Sequence, residues 1–275
     1  MTYQIININN TQELVKHLYS YENNWIFRGH TNANWELETT LERLLKPIGW
    51  QGDLAKRCED YSLRQFQSRA HHYISKDLIP ETTLSWLSLM QHHGVPTRLL
   101  DFTKSPFFAL YFAFNEVPPN QPEPCSIWAI NSRQIIKDSV SYLTSNLSDF
   151  KFTYEEALYL QDSIFNQYIY GSSHNILWIT EPKVFNLRLE RQKGTFVLCA
   201  DITRRIKDIL EEYKEEYVHK IIIPATLTRE IFKILTDMGI DNCNLFADLD
   251  GLGSDVRRTL KHTMPHYYIE KTHNT

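Results

Sequence analysis

Cysteine is sparse and scattered. Cys58, Cys125, Cys199 and Cys243 form no Cys-x-x-Cys pair and no Cys/His ligand spacing, so the sequence offers no structural zinc site and no structural metal is expected. Glycine is scarce as well, at nine of 275 residues. The chain has no Walker loop and no Gly-x-Gly-x-x-Gly fingerprint, so a bound nucleotide would have to be held some other way. No apolar run reaches membrane-spanning length, and Met1 to Asn7 lacks the basic flank and apolar segment of a signal peptide. The expectation is a cytoplasmic protein with no membrane partner. An excess of one charge is missing too: 29 Lys and Arg against 33 Asp and Glu give a net charge of −4, with no global pull toward nucleic acid. The remaining composition is that of a folded globular chain, 42% hydrophobic and 23% charged.

Helices and strands intermix without a regular βαβ rhythm, and no repeat of solenoid period is visible. This predicts an α+β fold, a mixed central sheet with surrounding helices, in one domain spanning 1–275 with its core at about 20–260. Leu14, Val15 and Leu18 recur at helical spacing behind a cap at Asn10 or Thr11, which predicts a helix to about Ser20. Trp25 to Gly29 reads as a strand. Asp53 to Lys76 reads as one or two helices, Glu81 to His93 as another, and Thr97 to Phe102 as a strand. Pro106 behind Ser105 or Thr103 marks a capped helix start. Cys125 to Ile130, Ile176 to Thr180, Gly194 to Cys199 and Val218 to Pro224 are further strand candidates. Ser139 to Gly171 mixes helix and loop. A charged helix is expected over Asp201 to Tyr217, another over Thr228 to Met238, and a loop and helix over Leu245 to His262.

The densest chemistry lies between Gln91 and Ala113, where two imidazoles, a Gly-x-Pro turn, Arg98, Asp101, Thr103 and Ser105 precede an apolar helix. This segment resembles the central signature of the FRG domain family, and Phe27-Arg28-Gly29 resembles the motif that gives the family its name. Arg191 to Phe196 looks like its Gln-x-Gly strand, and Leu245 to Leu252 like its C-terminal motif. The FRG resemblance implies a bacterial or phage protein. A weaker resemblance links these motifs to the ADP-ribosyltransferase superfamily, which places an Arg or His on its first core strand, a Ser, Thr or Tyr near a second, and a Glu on a later one. Here Arg28 matches the first element and Thr103 or Ser105 the second. Gln192 stands where the Glu is expected.

The superfamily resemblance implies NAD as substrate, an ADP-ribosyltransferase or NAD glycohydrolase activity, and a macromolecular target, protein or nucleic acid, as for a toxin or phage-defence effector. The alternative is a non-catalytic module that recognises a nucleotide, nucleic acid or protein. In the catalytic reading Arg28, His93, Asp101, Glu190 and Gln192 carry the chemistry. Arg28, Gly29, His30, Arg98, Thr103 and Ser105 bind the cofactor. An Arg fork suits a pyrophosphate, or it pairs structurally with Asp101 or Asp250. One of His92 and His93 serves as helix C-cap or core hydrogen-bonder, while the other is a candidate proton carrier. Thr103 and Ser105 are equally good N-caps, and Asp101 can cap as well. Arg98 and Asp101, three residues apart, should serve different neighbourhoods. Glu190, on the same strand face as Gln192, or Asp101 would stabilise an oxocarbenium ion. Asp248, Asp250 and Gly251 form an acidic turn expected to cap the final helix.

Overall fold

A computed structural model of the chain describes residues 3–115, 117, 123–183, 187–246, 253, 256 and 260. Its centre is a seven-stranded mixed sheet. In chain order the strands are β1 (Gln4–Asn7), β2 (Trp25–His30), β3 (Leu100–Thr103), β4 (Cys125–Asn131), β5 (Leu177–Thr180), β6 (Gly194–Cys199) and β7 (Val218–Ile223). They lie in the spatial order β1-β7-β4-β2-β3-β6-β5, and only β1 and β7 run parallel. The helices are α1 (Thr11–Tyr19), α2 (Thr40–Leu45), α3 (Gly52–Ala70), α4 (Thr83–His92), α5 (Pro106–Phe114) and α6 (Ser132–Asn146). They continue as α7 (Tyr154–Tyr159), α8 (Gln161–Ile164), α9 (Leu187–Arg191), α10 (Ile206–Leu210), α11 (Thr228–Asp237) and α12 (Asn242–Phe246).

Alternation along β4 shows how the sheet is covered. Cys125, Ile127 and Ala129 point into a core built with α1, α5 and α11, whereas Trp128 and Ile130 point into a larger core with α3, α4, α6 and α10. Both faces are dry, which is why this strand reads as a continuous apolar run. Helix α5 starts where its sequence says: Ser105 is the N-cap, its Oγ accepting from Phe108 N at 3.4 Å, with Pro106 in the first turn. Asn10 caps α1 in the same way, accepting from Glu13 N at 2.9 Å. At its other end α4 stops through Gly94, whose φ of +78° lets Val95 N return to Met90 O at 2.9 Å.

Four expectations need correction. The expected helix over 201–217 is only the short α10 and one 3-10 turn, Glu215–Tyr217. The third strand begins at Leu100 rather than Thr97. The edge strand β1 has no counterpart in the sequence reading, because its QIIN segment is mostly exposed and carries no alternating apolar signal. Arg191 and Gln192 do not open a strand: α9 ends at Arg191, Lys193 adopts φ of +47° in the turn, and β6 begins at Gly194. Glu190 therefore lies on a helix and shares no strand face with Gln192. Asp248, Asp250 and Gly251 lie outside the described residues.

Candidate functional site

The sheet is tightly zipped everywhere except at its centre. Strand β2 pairs with β4 through six residues, but with β3 at a single position, Phe27 opposite Thr103. Beyond that pair the two strands part, and a cleft of about 270 Å³ opens between them, closed on a third side by α4 and α9. Divergent strands leave backbone and side-chain polar groups facing a gap, the usual setting for a ligand site in a mixed sheet.

Arg28 of β2 lines this cleft. Its Nη1 donates to the Asp101 carbonyl at 2.6 Å and its Nε to His30 Nε2 at 3.2 Å, while Asp101 Oδ2 stands 4.0 Å from Nη1. Burial pushes the guanidinium below its ordinary value, and Asp101 offsets part of this. It keeps its charge, since an arginine starts above 12. Its remaining donors have no partner among the described residues and can meet a ligand. His30 is buried and pushed down to about 3, by burial first and by the Arg28 charge second. It is thus neutral at physiological pH and acts as the rest on which Arg28 lies, not as a ligand-binding or proton-carrying group.

Asp101 is the carboxylate of the cleft. Its side chain is 60% exposed, and Gln91 Nε2 donates to its Oδ1 at 2.8 Å. Thr103 and Gln192 also line the cleft, yet both are engaged with the protein. Thr103 Oγ1 donates to Gln192 O at 2.7 Å and accepts from Ser105 N at 3.1 Å, so its proton is committed. Gln192 Nε2 donates to Leu245 O at 3.4 Å, tying α12 to the cleft wall. These two residues build the site by joining β3 to the turn before β6.

Several expected site residues lie elsewhere. Arg98 is buried in an ion pair with Glu59 of α3, its Nε 2.9 Å from both carboxylate oxygens, its Nη2 in contact with Oε2 and its Nη1 3.3 Å from Ala200 O. It also lies over the Tyr170 ring at 5.3 Å. Burial lowers its pKa, but the charge and hydrogen bonding of Glu59, with smaller contributions from Tyr170 and Cys199, together more than compensate, and the net shift is upward. Arg98 is a structural clamp and does not reach the cleft; that it and Asp101 serve different neighbourhoods was expected. His93 is the C-cap of α4 and stacks on Phe66 across a separate apolar groove, whereas its neighbour His92 faces the cleft. Ser105 is spent as a cap. Replacing it with Ala is expected to lower the unfolding free energy by about 1 kcal/mol and leave ligand affinity untouched; thermal melts and titrations check this. Glu190 is exposed on α9 and is absent from the cleft lining.

Gly29 lines the cleft without being a ligand group. A Cβ there would stand 2.0 Å from Ala109 O and 2.6 Å from Ala113 N, so glycine is what allows α5 to lie directly against β2. Arg188 on α9 is the residue sequence reasoning missed. It lines the cleft, stacks 4.9 Å above the Phe246 ring and has no carboxylate partner among the described residues. Its only signal was membership of a charged segment, which ordinarily marks a solvated surface.

Among the described residues no group of three or more His, Cys, Asp or Glu is placed to hold a metal, and no helix is long and apolar enough to cross a membrane. Residues 23–121 match the family model of the FRG domain. That stretch contains Arg28, Gly29, Gln91 and Asp101, while Arg188 and Gln192 come from beyond it. No curated protein and no solved structure matches the chain.

Proposed function

The chain carries an FRG domain over residues 23–121, and from that premise we propose that the cleft between β2 and β3 binds NAD or a closely related nucleotide and cleaves it as an ADP-ribosyltransferase-like enzyme. The observation that carries this reading is a prepositioned guanidinium, Arg28, beside an accessible carboxylate, Asp101, at the one place where the sheet splits. Arg28 supplies a fork for the pyrophosphate, and Arg188 a second cation on another wall. Phe112, the one partly exposed phenylalanine among the cleft-lining residues, offers a ring suited to the flat face of a base or of nicotinamide.

In this reading the bond between the nicotinamide nitrogen and the ribose carbon breaks, its electron pair leaving with nicotinamide. Asp101, the acidic residue lining the cleft, stabilises the oxocarbenium ion electrostatically. A nucleophile, either water or a group on a protein or nucleic acid, then forms the new bond and gives its proton to solvent. Transfer to a host or phage macromolecule would make the protein a toxin or a defence effector.

A second reading is favoured by Gln192 and Glu190. The position that would hold a catalytic Glu is an amide tied to Leu245, and Glu190 is turned away, which suits a module that binds the nucleotide without turnover. Incubation with NAD and detection of free nicotinamide separates the two. The enzyme reading expects time-dependent release that Arg28→Ala and Asp101→Asn both suppress; binding without release selects the recognition module, and neither binding nor release sinks both.

A further inference from the structure

Behind the Asp101 carboxylate runs a chain of hydrogen bonds whose direction the carboxylate itself fixes. Thr97 is fully buried and held through its backbone, its N donating to Thr40 Oγ1 at 2.9 Å and its carbonyl accepting from the same hydroxyl at 3.2 Å. The Thr97 hydroxyl accepts from Leu99 N at 3.2 Å. Its single proton is therefore free to point outward, and it contacts Gln91 Oε1. An ionised carboxylate only accepts, so Asp101 takes the NH₂ end of the Gln91 amide and leaves the amide oxygen to the Thr97 hydroxyl. Gln91 Nε2 accordingly donates to Asp101 Oδ1 at 2.8 Å.

We propose that Gln91 and Thr97 are positioning residues that fix the Asp101 carboxylate so that Oδ2, and not Oδ1, is presented to the ligand. Asp101 is otherwise accounted for atom by atom. Its carbonyl takes Arg28 Nη1, its Oδ1 takes Gln91, and its Oδ2 stands 4.0 Å from the guanidinium with no hydrogen bond from the described residues. The free oxygen thus lies next to the arginine, where a ligand joining an anionic group to a hydroxyl or a developing cation meets both at once. A reversed amide would bring Gln91 Oε1 against Oδ1, two acceptors facing each other, and would turn the carboxylate away. This inference deepens the NAD reading and rests on it for the ligand, whereas the relay itself belongs to the free protein.

Three variants test it. Thr97→Val removes the hydroxyl at nearly constant volume, Thr97→Ser restores it, and Gln91→Glu keeps an acceptor for Thr97 while removing the donor to Asp101. In nicotinamide release, Thr97→Val and Gln91→Glu are expected to lower kcat about tenfold, the scale typical of an outer hydrogen-bond partner, with KM nearly unchanged and with Thr97→Ser recovering most of the rate. Wild-type kcat in Thr97→Val, or equal loss in Thr97→Ser, overturns the proposal, because either result reduces Thr97 to packing. A ligand-free measurement separates this from failure of the NAD reading. In nitrogen-15 spectra the Gln91 side-chain amide should exchange with water about fivefold faster in Thr97→Val than in wild type or Thr97→Ser, the factor expected for losing one net hydrogen bond. Equal exchange in all three proteins overturns the relay. Slow exchange in a wild type that neither binds nor cleaves NAD upholds the relay and removes the NAD reading alone.

Discussion

Replacement of Gly29 by alanine is expected to destabilise the protein severely. The added methyl carbon would meet the α5 backbone at two atoms, Ala109 O at 2.0 Å and Ala113 N at 2.6 Å, and neither can swing aside like the end of a side chain. Strand β2 is pinned by six residue pairs to β4, so it cannot retreat, and α5 would have to lift off a face formed with Leu14, Phe27 and Ile127. Overpacking of a side chain costs about 1–3 kcal/mol; a backbone clash of this depth belongs at or above the top of that range. A domain of this size loses roughly 2–4 °C in Tm per kcal/mol, so a fall of about 10 °C or a loss of soluble protein is the expected result. A Tm within about 2 °C of wild type would show that α5 and β2 do not meet as described. Gly29 thereby owes its place to helix packing beside the cleft, although it flanks the cleft arginine in sequence.

The second large effect concerns the Glu59–Arg98 clamp. Glu59 is 1% exposed and Arg98 6%, and the pair ties α3 to the segment entering β3 and to the chain leaving β6. Glu59→Gln preserves the shape and leaves the arginine charged, because no pH tolerated by the fold deprotonates it. Breaking one side of such a pair costs about 3–5 kcal/mol, whereas replacing both partners with apolar residues is often close to neutral. The expected outcome is a steep loss of stability in Glu59→Gln and in Arg98→Met, measured by chemical denaturation, with substantial recovery in Glu59→Leu combined with Arg98→Met. Nucleotide affinity of the recovered double variant should equal that of wild type, which distinguishes this arginine from Arg28. Simple additivity of the two losses would show that the residues do not act as a pair.

Much of the architecture was legible because it depends on local signals. The apolar runs of β4, β6 and β7 are buried on both faces, and Ser105-Pro106 announces the start of α5 through capping and a fixed φ. Asp201 to Tyr217 misled because charge at helical spacing favours a helix without requiring one, and the chain there is drawn into turns by Asp201, whose Oδ1 accepts from Thr203 N at 2.8 Å. At the site, Arg28, Asp101, Thr103 and Gln192 were named from sequence and do converge. Arg98 was misassigned because its partner lies 39 residues earlier, on α3, a pairing with no local trace. His92 and His93 exchange roles for a geometric reason: neighbours at a helix end point about 100° apart, so one faces the cleft and the other the opposite groove. The engaged state of Thr103 was equally invisible, since it depends on a carbonyl 89 residues away.

Whether the split between β2 and β3 is a nucleotide site organised by Arg28 is decided by binding. Calorimetric titration of NAD into the full chain, in wild type and in Arg28→Ala, tests it most directly. Saturable binding of one NAD per chain is expected, weakened about 10- to 100-fold in the variant through loss of charge-assisted hydrogen bonds to a phosphate, while thermal stability of the variant stays close to wild type. Absence of NAD binding by a folded wild-type protein, or equal affinity in Arg28→Ala, would contradict it.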